Sequence, residues 1–454
     1  MSRFESWLGN SRKSFPRNDL RRFWSNAVAR SAGVDFEPVR IPGCACSESL
    51  RAWGAAKASE GFRTSCQCGP HGMSAIDFDH NATTRPLPEV LEVVARCWRD
   101  AYANPGSRHP LGRAARRILE ESRESLAEML GAAPDELIFT SGGTESNNLA
   151  IRGLVRGRGG LIARAAGEHP SVLEACDALA ERDFATWTIP VDAQGLMTAA
   201  SLADAPWDRV RLATCLWAHN ETGVIQDPAP LAALCAEHRV PLHLDGVQAV
   251  GKMPVDFHAT RATSLSFAAH KFHGPRGVGG LLVRRGVPLQ PLLVGGHQES
   301  GKRAGTEPVP LVAGMALALQ LWRRDASSRQ QRLAELRDRL EAGLTARCAP
   351  VVVHSQQAPR LPNTLNIAFP GVDGEALLVS LDLAGLCASL GSACASGSSE
   401  PTPALLAMGI PPDLAKSSIR FSLGIDNTEQ DIDRALDIIS SRVTTLRNLA
   451  SPTG

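Results

Sequence analysis

Lys271 lies in the run TSLSFAAHKFHGPRG, residues 263–277, where an apolar strand enters a loop rich in glycine and proline. Lysine is seldom buried unless its charge is used or removed, so a lysine in this setting is a candidate for Schiff-base formation with a carbonyl compound. Taken alone, the commoner reading is a solvent-facing loop lysine. A second pattern is Ser141-Gly142-Gly143-Thr144-Glu145-Ser146, which follows the strand-like stretch 136–140 and opens a helix. Glycines and a threonine at a helix start offer backbone N–H groups and a hydroxyl to an anion, the outline of a phosphate cup. No Gly-Lys-Ser/Thr follows, so this is not a P-loop, and an ordinary capped turn fits the same residues. The third is Cys394, within GSACASG at 391–397. Small polar neighbours suit a mobile loop and argue against a core thiol, leaving a reactive cysteine.

Such residues need a scaffold, and from residue 75 onward strand-like and helical stretches alternate. The pattern predicts strands at 75–79, 136–140, 160–165, 210–217, 241–245 and 278–283, and helices at 88–102, 111–130, 147–153, 170–182 and 229–238. That rhythm predicts a mainly parallel sheet covered by helices, with ligands at the carboxyl ends of the strands. Polar residues collect at those ends: His169, then His219-Asn220-Glu221, then Asp245 with Gln248, then His270-Lys271. Each fits a cap or turn by itself, but their common placement argues for one shared site. Gly277-Val278-Gly279-Gly280 is not a dinucleotide fingerprint, because it runs into a strand where a helix should open. Further on, the pattern predicts a helix from about 333, strands at 351–354 and 364–369, and helices at 374–383 and 428–446.

The chain has 454 residues, 43% hydrophobic and 21% charged, a composition that supports more than one cored domain. Its net charge of +1 gives no basic surface for nucleic acid or anionic membrane, and no apolar run of about 18 residues is present. Eleven cysteines without a regular framework suit reduced thiols, so the expectation is a cytoplasmic protein. Residues 1–72 differ from the rest, holding 11 Lys/Arg against 6 Asp/Glu and four of the cysteines. They read as a basic, disordered extension or as sequence upstream of a start at Met73, with a short helix around 20–30. Cys44-Ala-Cys46 and Cys66-Gln-Cys68 lack the usual CxxC spacing of zinc sites, so no metal is assigned.

The runs FTSGGTESNNLAI, LHLDGVQAVGK, LSFAAHKFHGPRGVGGL, GGHQESGKRAGTE, RLPNTLNI, GSACASGSSEP and SSIRFSLG resemble those of the cysteine desulfurases, in the branch with a Ser-Ala-Cys loop. The resemblance covers about 75–446. It implies an α/β protein with the type I fold of pyridoxal-phosphate-dependent transferases. A large domain, 73–330, would carry a mainly parallel sheet with helices on both faces. A smaller α+β domain, 331–454, would carry the cysteine loop, and the arm near 75–90 would pack with it.

Residue by residue, the resemblance implies that Lys271 forms the Schiff base with pyridoxal 5'-phosphate and that Asp245 pairs with the ring nitrogen. His169 would stack on the ring and move protons, with Asn220 and Gln248 near the ring's 3-oxygen. Gly143, Thr144 and His270 would form the phosphate cup. Thr306 would reach the phosphate of a partner subunit, which implies a homodimer with shared sites. Arg420 would clamp the substrate carboxylate, with Asn363 as its neighbour. Cys394 would take sulfur from L-cysteine as a persulfide, releasing alanine, for an acceptor protein such as an iron-sulfur scaffold or a tRNA-thiolation relay. No direct nucleic acid or membrane partner is implied. Two positions depart from the family: Ala268 stands where many relatives carry a phosphate-binding serine, and Leu390 replaces a common serine. Ser266 or water would take over the lost hydroxyl. The rival readings are a selenocysteine lyase and another class V aminotransferase or lyase, the second of which has no need of Cys394.

Overall fold

The computed structural model describes residues 75–390 and 401–450. The expected helix around 20–30, the paired N-terminal cysteines and Cys394 lie outside them. The fold that follows belongs to the unit Ser74–Gly454.

Strand β1 (Ile76–Asp77) leads into helix α1 (Pro88–Asp100), whose Val90, Val93 and Cys97 recur at helical spacing on the buried face. Helix α2 (Pro110–Met129) has proline in its first turn, and the His109 ring accepts the Gly112 N–H as its cap. Then come β2 (Leu137–Thr140), α3 (Gly143–Leu154), β3 (Gly160–Ala165), α4 (Pro170–Asp177) and β4 (Phe184–Ile189). The chain continues through α5 (Ala199–Ala203), β5 (Val210–Leu216), α6 (Ala229–Glu237), β6 (Leu242–Asp245), β7 (Ser264–Ala268) and β8 (Gly279–Val283).

Seven of these strands form one sheet in the order β2-β8-β7-β6-β5-β3-β4. All pairings are parallel except the two made by β8. Because β8 runs against both β2 and β7, strands β2, β3, β5, β6 and β7 share one direction. Their carboxyl ends therefore lie along one edge, as the alternation predicted. Strands β6 and β7 are buried at every position, as strands inside a sheet covered on both faces are.

Helix α7 (Val309–Arg347) runs 39 residues and passes through the expected domain boundary at 330/331. Its first part is buried from Val309 to Leu319, and its last part buries only Leu336, Leu340 and Leu344. Beyond it lie β9 (Val352–Val353), β10 (Thr364–Ala368), α8 (Gly374–Leu383), β11 (Leu386–Cys387), α9 (Pro403–Ala407), α10 (Pro412–Lys416), β12 (Ser418–Ser422) and α11 (Glu429–Ala450). Strands β12, β10 and β9 form an antiparallel sheet, and β11 pairs in parallel with β1.

Ile76 and Phe78 share one core with Leu336 and Leu340 of α7, Leu365 and Ile367 of β10, and Ile432 and Ile439 of α11. Phe78 meets Phe421 edge to face at 6.4 Å. Burying a phenylalanine contributes about 2 kcal/mol, so this arm is held by packing as firmly as a core strand. Among the described residues no helix is long and apolar enough to cross a membrane.

Candidate active site

A cavity of about 600 Å³ opens at the shared carboxyl edge, within the range of cofactor sites. Gly143, Thr144, His169, Asn220, Asp245, Gln248, His270, Lys271 and Arg420 all line it. Nine residues predicted from sequence, drawn from six separate segments, are thus brought together. Asn363 and Thr306 are not among the lining residues. Asn363 is buried, and its amide donates to Asn81 Oδ1 and to the Leu423 carbonyl. Thr306 is exposed beyond the loop 294–305, away from the cavity wall.

At one end the turn from β2 into α3 forms a nest of donors. Gly142 has φ 155, ψ −173, and the N–H groups of Gly143 and Thr144, in the first turn, have no acceptor among the described residues. A Cβ on Gly143 would sit 2.6 Å from Val247 Cγ2, so only glycine lets the helix start this close to the cavity floor. An anion fits this end. Ser266 does not serve it, correcting the expectation for the missing serine hydroxyl at Ala268. Its Oγ is 3.4 Å from Asp245 Oδ1.

Asp245 ends β6 and is buried, with every polar contact a donor. The Val247 N–H donates to Oδ1 at 3.0 Å and the Asn147 amide to Oδ2 at 2.8 Å. Asn147 is itself fixed from behind, since His243 Nε2 lies 3.0 Å from Asn147 Oδ1. Burial pushes the His243 imidazole down to about 4, which keeps it neutral. A buried, donor-held carboxylate is suited to pair with a protonated ring nitrogen.

The Asn147 amide also donates to Ser171 Oγ at 2.9 Å, which leaves the Ser171 proton for His169 Nδ1, 2.8 Å away. The Ser171 backbone N–H donates to the same nitrogen at 3.1 Å. Nδ1 is therefore an acceptor, and neutral His169 carries its proton on Nε2. Burial holds the His169 pKa below its ordinary value, against the opposing pull of the Asp245 charge.

Lys271 follows β7 by a single turn of 3₁₀ helix. Its amine donates to the backbone carbonyls of Asn81 at 2.7 Å and Ala82 at 2.9 Å. Burial, then the Arg420 charge, lowers its pKa to about 8, although Asp245 and Asp79 pull the other way. A substantial neutral fraction near neutrality is what amine nucleophilicity requires. Arg420, in β12, donates through Nη1 to the Asn220 carbonyl at 3.0 Å and through Nη2 to Asp79 at 2.6 Å. Its Nε is buried with no partner among the described residues, a donor left for a ligand carboxylate.

The residues fit pyridoxal phosphate: a donor nest for its phosphate, a buried carboxylate for its ring nitrogen and a lysine of depressed basicity for its aldehyde. Sequence reasoning missed Asn81, Asn147 and Ser171, which orient the expected groups. Asn81 stands in the polar turn His80-Asn81-Ala82-Thr83-Thr84 and Asn147 in the run FTSGGTESNNLAI, but polar turn and helix residues carry no mark of what they face.

Residues 76–435 match the family described as Aminotransferase class-V. A cysteine desulfurase of Gluconacetobacter diazotrophicus is 41% identical over 382 residues, spanning 83% of this chain and 96% of that protein. Among solved structures, a NifS-like protein superposes with a TM-score of 0.76 at 33% identity, covering 82% of this chain and 100% of that one. SspA in complex with cysteine superposes with a TM-score of 0.68 at 30% identity, covering 77% of this chain and 99% of that chain.

Proposed function

Since the chain belongs to the class V aminotransferases and, among them, to the cysteine desulfurases, we propose that this cavity converts L-cysteine to L-alanine and leaves the sulfur on Cys394. The observation that carries this reading is Lys271, a half-buried amine of lowered pKa in a cavity that also holds Asp245, the Gly143 nest and Arg420.

Pyridoxal phosphate, when bound, supplies an aldehyde that condenses with amines and a ring that withdraws electrons from the attached α-carbon. The Gly143 and Thr144 N–H groups, with His270 lining the same cavity, would hold its phosphate. His270 is kept neutral by burial and by the nearby Lys271 charge, with its pKa about 4, so it contributes a hydrogen bond and not a cation. Asp245 would pair with the ring nitrogen and hold its proton. Arg420 would take the substrate carboxylate, and the Lys271 amine would remove the α-proton. His169, with Nε2–H toward the cavity, is a donor in its resting state and delivers a proton to the developing product. The Cys394 thiolate attacks the substrate sulfur, the bond from that sulfur to the substrate carbon breaks, and the carbon takes up a proton. L-cysteine and a thiol become L-alanine and a persulfide.

Ser389, five residues before Cys394, lines the cavity, and its backbone exchanges hydrogen bonds with Arg420 at 2.7 and 3.2 Å. The loop that carries the cysteine is therefore rooted beside the carboxylate clamp. A homodimer belongs to the same reading: Leu91 and Trp98, seven residues apart on α1, and nearby Tyr102 are all more than half exposed. A sulfur acceptor protein completes it.

The test is product analysis of the pyridoxal-phosphate-loaded protein with L-cysteine, beside Cys394→Ala. Alanine and reductant-released sulfide should appear in equal amounts and only with the thiol. Selenocysteine run in competition separates the selenocysteine lyase reading.

A further inference from the structure

Lys252 is a buried lysine beside this site, and none of the steps above uses it. Its side chain is 8% exposed as a residue, yet it forms no ion pair with any carboxylate among the described residues. Its Nζ instead donates to two amide oxygens, Gln248 Oε1 and Asn81 Oδ1, each at 2.5 Å. Burial, then the charges of Lys271 and Arg420, pushes it well below the ordinary lysine range. The other titratable groups around it are His80, His270, His273 and Arg329, so its surroundings are neutral or basic.

Lys252 Nζ donates to both amides, and each turns its oxygen toward it. That settles the Gln248 carboxamide: Oε1 faces Lys252, and Nε2 donates one hydrogen to the Asn81 carbonyl at 3.0 Å. The second Nε2 hydrogen is left for the cavity, which Gln248 lines. The same Asn81 carbonyl receives Lys271 Nζ.

We propose that Lys252 is a positioning residue that locks Gln248 with its N–H, and not its oxygen, toward the cofactor's ring oxygen. The inference rests on the pyridoxal-phosphate reading of the cavity. With Lys252 in place, the ring oxygen meets a donor. Without it, only the Asn81 carbonyl holds the amide against a rotation that sets oxygen against oxygen. Donation to the ring oxygen draws negative charge away from the neighbouring Schiff-base nitrogen, so losing it makes that nitrogen more basic.

The experiment is a pH titration of the bound cofactor's absorbance in wild type, Lys252→Met, Gln248→Ala and the double variant. Lys252→Met should titrate about one pH unit higher than wild type, and the double variant should match Gln248→Ala with no added shift. Lys252→Arg, which keeps the donors, should return toward wild type. Lys252→Leu takes the place of the methionine variant if that one does not fold, and is read the same way. An unchanged titration in Lys252→Met, or shifts that add in full in the double variant, overturns the proposal. Wild type that takes up no cofactor overturns the cavity reading itself, a separate outcome.

Discussion

Arg420 Nη2 lies 2.6 Å from the Asp79 carboxylate, and this pair joins the N-terminal arm to strand β12. The guanidinium is almost wholly buried while Asp79 keeps about a third of its side chain exposed, at 30%. Asp79 thus holds one edge of the fork and leaves Nε for a ligand. Asp79→Ala should leave a buried cation short of its partner and destabilise the protein by about 2 kcal/mol, less than a fully buried pair because Asp79 is partly hydrated. Chemical denaturation measures this loss. KM for L-cysteine should move more than kcat, because the clamp binds and does not react.

The Lys271 amine should be reactive at modest pH. Its pKa of about 8 means that the neutral, nucleophilic form grows as pH rises through that value. Cofactor-free protein mixed with a small aldehyde should react at a rate that climbs with pH, reaches half its maximum near pH 8 and levels off above it. A half-maximum near the ordinary lysine value, about 10.4, would show that burial does not tune this group.

Gly143→Ala should weaken cofactor binding. The added Cβ meets Val247 Cγ2 at 2.6 Å, so the first turn of α3 or the Val247 side chain must shift. A displaced N–H nest loses about one hydrogen bond to the phosphate, which corresponds to roughly tenfold weaker binding. Titration of the cofactor-free protein with pyridoxal phosphate and with pyridoxal separates the two ends of the site. Only the phosphorylated form should lose affinity.

His169 should act through its tautomer. Ser171 Oγ and the Ser171 N–H both point at Nδ1, which keeps the proton on Nε2. His169→Ala should lower kcat by about 10²-fold or more, as loss of a general acid does, while cofactor occupancy persists. Ser171→Ala keeps the backbone donor and should cost much less. Equal losses in the two variants would mean that the hydroxyl, and not the backbone N–H, sets the tautomer.

The large sheet was legible because its strands are apolar and its helices amphipathic, and because polar residues stood at the strand ends. Asp245, His270 and Lys271 could be placed on one edge from that rhythm alone. The first part of α7 was not legible as a helix, since residues 309–319 are buried on nearly every face and show no 3.6-residue period. Strand β4 was missed for a different reason. It sits at the sheet edge with a mixed burial pattern, so its residues carry a weak strand signal. Of the cavity, Asp245, His270 and Lys271 stood out by residue type and placement, whereas Asn81 and Lys252 contact other polar side chains and carried no such mark. Lys252 stands four residues after Gln248 in the run LHLDGVQAVGK, but that spacing means contact only once the backbone is known to coil there.

The most direct test of the account is the mass of the peptide that carries Cys394 after one turnover with L-cysteine and without reductant. The account predicts a gain of one sulfur atom on Cys394 for each alanine released, and loss of both in Cys394→Ala. Alanine formed at the wild-type rate by Cys394→Ala, or sulfur gained at another cysteine, would contradict it.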